Sequence, residues 1–175
     1  MTIERPGTEE YSTYYHRYVA AVPDGDLLSQ LAEQSVDVQR LATTLGEERA
    51  GRPYAEGKWS GKDVLQHLAD TERVMAYRAL RAARGDATAL ASFDQDEYVR
   101  VAGAGNRSLD DILSELAAVR AATIALFAGL DARALARVVT ASGQPVTARA
   151  LAYIIAGHER EHLRILREQP GYVTA

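Results

Sequence analysis

The stretch from Lys58 to Asp86, KWSGKDVLQHLADTERVMAYRALRAARGD, decides how this chain is read. Ser60 stands where a helix N-cap belongs, with Asp63 three residues on in the capping-box position. Val64, Leu65, Leu68, Val74, Met75 and Leu80 then recur at helical steps and form one apolar face, and Gly85 marks the exit. His67 interrupts that face, sharing it with Val64, Thr71 and Val74. An imidazole therefore points where the helix meets its neighbours. A buried imidazole is costly unless partnered, so this helix predicts both packing partners and a partner for His67.

Three further segments carry the same periodicity. The first runs from about Asp26 to Leu45 through Leu27, Leu28, Leu31, Val38 and Leu41, with Asp24 or Asp26 as cap and Gly46 as its end. The third has Ser108 as N-cap, acids in its first turn, and an inner face of Leu109, Ile112, Leu113, Leu116, Ile124 and Phe127. The fourth runs from about Thr147 to Glu168 through Leu151, Ile154, Ile155, Ile165 and Leu166, and Pro170-Gly171 stops it. No segment reads as a strand. These patterns predict an all-α chain, one four-helix bundle domain over residues 1–175. Residues 84–107, between helices two and three, form a connection longer than the roughly two to eight residues of an up-down bundle. A crossover that long can run the length of the bundle, leave helices two and three parallel, and cover a pocket. Ahead of Pro23, Tyr11, Tyr14, Tyr15 and Tyr18 are spaced as one helical face and are expected to pack on the bundle.

Composition narrows the function. The net charge is −4 and no basic tract stands out, so nucleic acid is not an expected partner. No apolar run approaches the roughly 20 residues that span a bilayer, so no membrane segment is expected. Nor does MTIERPGTEEYSTYY have a basic region followed by an apolar run, so no secretion signal is expected. The absence of cysteine removes disulfides, thiolate ligands and a cysteine nucleophile, and fits a cytoplasmic setting.

The fourth helix holds GHEREHLRIL, residues 157–166. His158 and His162 differ by about 40° around the helix and continue the stripe of Leu151, Ile154 and Ile155. A single inward histidine is usually a hydrogen-bonded core residue, and histidine pairs four apart also arise by accident. A pair on an apolar stripe, with His67 inward on another helix, favours a divalent metal site. Three neutral imidazoles would leave the ion its full charge and keep positions open for water or a thiol. His16 has no comparable partner and reads as a surface or capping residue.

The same stretch matches the H-E-x-x-H pattern of zinc proteases. Glu159 and Glu161 flank the histidine pair almost symmetrically, each about 80° from its midpoint, so either can stand behind the ligands. Ile165 replaces the glycine of the longer metzincin signature, and no strand is predicted that would align a peptide. A zinc protease is a distant alternative. Arg78, Tyr98 and Arg120 are candidates to hold an anionic substrate over the metal. The ordinary reading, a solvent-seeking arginine for Arg120 and a loop anchor for Tyr98, is preferred for those two, while Arg78 reads either way. Asp70 and Glu72 could accept an imidazole N–H but read better as solvated helix charges. Trp59 is expected to plug the bundle end.

Together with SFDQDEYV (92–99) and ARALAYIIAGHEREHLRIL (148–166), the Lys58–Asp86 stretch resembles the DinB/YfiT-like superfamily of metalloenzymes, over nearly the whole chain. The resemblance implies an up-down-down-up bundle and a metal held by His67, His158 and His162, with zinc or nickel the usual ion. Relatives implied by it include metal-dependent hydrolases, and transferases and isomerases that activate a low-molecular-weight thiol. The expected function is therefore a hydrolase or thiol-dependent S-transferase or isomerase acting on a small molecule, with no catalytic residue assigned. The alternative is a non-catalytic metal-binding bundle that holds a small ligand or protein partner. A homodimer is compatible with fold and family. Many members carry a second histidine next to the last ligand, where this chain has Glu161 and so a negative charge near the ion.

Overall fold

The computed structural model describes residues 2–169 and 172. In chain order its elements are α1 (His16–Ala20), α2 (Leu27–Ala50), α3 (Gly61–Ala83), α4 (Gln95–Ala102), α5 (Leu109–Ala128), α6 (Ala132–Leu135), β1 (Val138–Ala141), β2 (Gln144–Thr147) and α7 (Ala148–Glu168). The four long helices begin where their caps predict. Ser60 Oγ accepts the Asp63 N–H at 3.1 Å while the Ser60 N–H donates to the Asp63 carboxylate at 2.9 Å. Asp26, Ser108 and Thr147 likewise accept from Ser29, Asp111 and Ala150, each at 3.1 Å. Each cap satisfies an N–H that has no partner inside its helix.

Hydrogen bonds at the two bundle ends establish the helix directions. Lys62, at the start of α3, donates to the Arg107 carbonyl just ahead of α5 at 2.7 Å and pairs with Glu47 near the end of α2. Glu47 also accepts the Leu109 N–H at 2.8 Å. So α3 and α5 start together where α2 finishes. At the opposite end Arg137, shortly before α7, donates to the carbonyl of Ala83 in the last turn of α3. The bundle is up-down-down-up, with α3 between α5 and α7, and α2 diagonal to α3. The long crossover is ordered by α4, capped by Asp94, and by a 3-10 turn at Ala104–Asn106.

One expectation needs correction. Residues 138–147 form an antiparallel hairpin, Val139 paired with Val146 and Ala141 with Gln144. Its turn residues Ser142 and Gly143 have φ of 54° and 75°, the positive angles that a tight two-residue hairpin demands. Strands of four residues, one containing Pro145, are too short to show a period-two pattern. Gly46 ends the regular run of α2, as expected. With φ 72° and ψ 166° it breaks the helix locally, and helical turns continue to Ala50. The stop assigned to Pro170-Gly171 lies outside the described residues.

Apolar side chains form two clusters. Leu27, Leu31, Phe127, Leu151 and Ile154 belong to one, and Val38, Leu65, Ile112, Leu163 and Leu166 to the other. Each such buried side chain contributes roughly 1.5–3 kcal/mol. Buried polar groups also occur at mid-bundle, among them Gln34, His67, Glu72, Arg120, His158 and Glu159. No helix among the described residues is long and apolar enough to cross a membrane.

Candidate metal centre

His67 projects from α3, and His158 and His162 from successive turns of α7, which runs against it. The Nε2 atoms of His67 and His158 are 3.1 Å apart, and one nitrogen from each of the three rings lies within 4.8 Å of the others. His67 is 2% exposed and His158 8%. Burial holds His67 down at about 3, with a further push from His162, and holds His158 well below the usual imidazole range. Burial also lowers His162, to about 4, although Glu161 pulls the other way. All three rings are therefore neutral at pH 7.

Each neutral ring has one N–H and one lone pair; with the N–H groups turned outward, the three inner nitrogens present only lone pairs to one another, which a shared cation would satisfy. A nitrogen donor set of this kind suits a borderline divalent ion such as zinc or nickel. The surroundings fit the same reading. Thr71 Oγ1 lies 3.4 Å from His67 Nδ1, one turn along α3, a position that leaves Nε2 facing the other rings. The Trp59 ring lies 4.8 Å from that of His67 and is nearly parallel to that of His162. Tyr18 presents its ring to His158 at 5.3 Å, its hydroxyl accepting from Arg17 at 2.7 Å. A cavity of about 210 Å³ opens over His158, walled by Tyr15, Thr71, Arg78, Ser142 and Ile154. A second, of about 320 Å³, reaches His162 past Trp59, Lys58 and Tyr54.

The model of the DinB superfamily matches residues 30–166. The chain belongs to the DinB superfamily. Among solved structures, this DinB chain resembles YfiT from Bacillus subtilis, described as a probable metal-dependent hydrolase with an unusual four-helix bundle topology. The identity is 16% and the TM-score 0.76, over 95% of this chain and 92% of that one. The mycothiol-dependent maleylpyruvate isomerase gives a TM-score of 0.68 at 16% identity, over 85% of this chain. The match spans 62% of the isomerase, so part of that protein has no counterpart here. No curated protein matches this DinB chain in sequence.

The other candidate residues of the DinB chain divide clearly. Arg78 is 3% exposed and faces the His158 cavity. Tyr98 is 47% exposed, packs on Phe93, and lines an outer groove with Gln66 and Arg107. Arg120, expected at the solvent, is 2% exposed. It donates twice to Glu72 at 2.9 and 2.8 Å, to Glu159 at 2.7 Å, and to the Leu31 carbonyl at 2.8 Å. That group ties all four long helices together. It also occupies the Glu159 carboxylate, which in a protease of this pattern would serve as base. Asp70 accepts from Gln66 at 3.2 Å, and Glu161 pairs with Arg164 at 2.7 Å on the rim. Neither Asp70 nor Glu72 accepts an imidazole N–H. A signal for Arg120 was present in the sequence: Leu113, Leu116, Arg120, Thr123 and Phe127 form one stripe of α5.

Proposed function

We propose that the chain is a metal-dependent enzyme whose single divalent ion, zinc or nickel, is held by His67, His158 and His162. The observation that carries this reading is the convergence of three neutral imidazoles, two buried and one half-buried, within 4.8 Å of one another. Such an ion, when bound, supplies Lewis acidity and lowers the pKa of a bound water to about 7 or holds a thiol as thiolate.

The chain's own residues do the rest. Thr71 orients the His67 ring, Trp59 and Tyr18 cover the cluster against bulk water, and the two cavities admit molecules of small size. Hydrolysis of a small molecule, or S-transfer or isomerisation with a low-molecular-weight thiol, both use a nucleophile activated at such a centre. The descriptions of YfiT and of the isomerase support one branch each.

Metal analysis of untagged protein tests the reading. About one divalent ion per chain is expected, lost in His67→Ala and His162→Ala, and finding none overturns it. In the cobalt-substituted protein, azide or a small thiol is expected to change the visible spectrum. An unresponsive spectrum assigns the chain instead to non-catalytic metal-binding bundles. Protection against heat by a thiol, seen only in the loaded form, selects the transfer branch.

A further inference from the structure

Three cationic side chains are buried among the described residues. Lys62 pairs with Glu47, and Arg120 with Glu72 and Glu159. Arg78 forms no ion pair among those residues. Its Nη2 donates to the Ala91 carbonyl at 2.8 Å and to Ser142 Oγ at 3.1 Å, and its Nη1 approaches the Met75 sulfur at 3.8 Å. A guanidinium has five N–H donors in a planar fork, and a buried charge ordinarily has a counter-charge. This one has none among the described residues, and it lines the cavity that ends at His158.

The parts of the chain outside the bundle converge on it. The Leu90 N–H donates to the Thr140 carbonyl at 2.8 Å, and the Ser142 N–H to the Leu90 carbonyl at 2.9 Å, so crossover and hairpin are joined. That junction brings the Ala91 carbonyl and the Ser142 hydroxyl to the same guanidinium. Ser142 is also the one non-glycine residue with positive φ among those described, at 54°. That angle is the one the two-residue turn requires, and the turn sets the hydroxyl beside the guanidinium. Tyr15, on the same cavity wall, adds a phenol O–H, whose pKa burial raises above its already high usual range.

We infer that Arg78 anchors the carboxylate of a small organic acid, whose reacting end lies toward His158 and the imidazole cluster. This names the substrate class of the metal site and rests on that reading. Nη2 is already taken by Ala91 and Ser142, so a carboxylate would be met through Nη1, in a charge-assisted hydrogen bond. Its single charge is the one Arg78 leaves uncompensated, whereas a phosphate dianion would carry a surplus charge into a buried cavity. The small volume excludes bulky acids.

Calorimetry on the metal-loaded full chain, with mono- and dicarboxylates from acetate to adipate, is the test. At least one acid is expected to bind, with its amide and inorganic phosphate weaker by about tenfold or more. Arg78→Gln is expected to lose about tenfold or more in affinity for that acid while keeping the wild-type ion content. Arg78→Lys and Ser142→Gly, which preserve the charge and the turn respectively, are expected to weaken binding less, and they supply the test should Arg78→Gln fail to fold. Unchanged affinity in Arg78→Gln, equal binding of phosphate, or no binding by any of the acids overturns the proposal. Arg78-dependent binding by protein that takes up no metal would leave the anchor standing and remove the metal reading alone.

Discussion

The α-carbon of Gly157 lies so close to the backbone of Tyr18 that a Cβ there would stand 1.9 Å from the Tyr18 carbonyl oxygen and 2.8 Å from its Cα. The glycine ahead of the first histidine of α7 is thus a point of contact, and α1 rests on it. The contact brings the Tyr18 ring to His158, so the Tyr-rich lead becomes a wall of the site.

Gly157→Ala is expected to destabilise the fold. Alanine gains up to about 1 kcal/mol in helix propensity. Overpacking against a backbone costs about 1–3 kcal/mol, or drives α1 away. The lower melting temperature should come with faster amide exchange in α1. A variant more stable than the parent, with α1 still protected, would show that the contact is slack.

Arg120→Met leaves Glu72 and Glu159 buried without their counter-charge. Burial already outweighs the pull of Arg120 at Glu159, whose carboxyl sits above its usual range. Removing the cation should cost about 3–5 kcal/mol in urea denaturation. Replacing all three members by apolar residues of similar volume should recover most of that loss. A single substitution costing under about 1 kcal/mol would mean that the three groups are not coupled.

Acid should unfold the metal-free protein through its histidines. His67 and His162 titrate at about 3 and about 4 when folded, against 6.5 for the free side chain, and His158 well below it. Below about pH 6.5 the unfolded chain therefore binds more protons than the folded one. Stability is full above that pH and falls as pH drops toward 4, by up to about 4 kcal/mol per pH unit when three rings take part. Denaturation curves between pH 7 and pH 4 measure the slope. The three-alanine variant of His67, His158 and His162 should flatten it, and an equally steep slope in that variant would place the effect elsewhere.

Trp59 is the sole tryptophan of the chain and faces two of the three imidazoles. Titration with nickel or copper, whose unpaired electrons quench nearby indoles, should dim its fluorescence to saturation at about one ion per chain. Zinc should shift the emission with less quenching. His162→Ala should abolish the nickel response at the same concentrations, and undiminished quenching in that variant would locate the ion away from Trp59.

Glu161→Gln is expected to be mild. The Glu161–Arg164 pair is partly solvated, and surface pairs of this kind are worth about 0–1 kcal/mol. Metal content should stay at one ion. A large loss of metal would give the carboxylate a direct part in holding the ion.

The helices and the three inward histidines were legible because their signals are local: a cap, a stripe, and a four-residue spacing. Arg120 was not. Its partners Glu72 and Glu159 lie 48 and 39 residues away, and an arginine on a stripe is ordinarily taken to reach for water. The hairpin was lost for a different reason, since four-residue strands carry almost no periodic signal. With it went the role of Ser142, and without Ser142 the two readings of Arg78 could not be separated.

A layer of polar groups also crosses the bundle at the height of Arg120. Oil-like interfaces between helices allow neighbouring registers of nearly equal energy, because one leucine can replace another a turn away. Glu72, Arg120, Glu159 and the Leu31 carbonyl have no such substitutes. A slip of a single turn would strand two acids and a base in hydrocarbon. The layer therefore acts as an index mark, and the histidines on the same helices meet at the depth it sets.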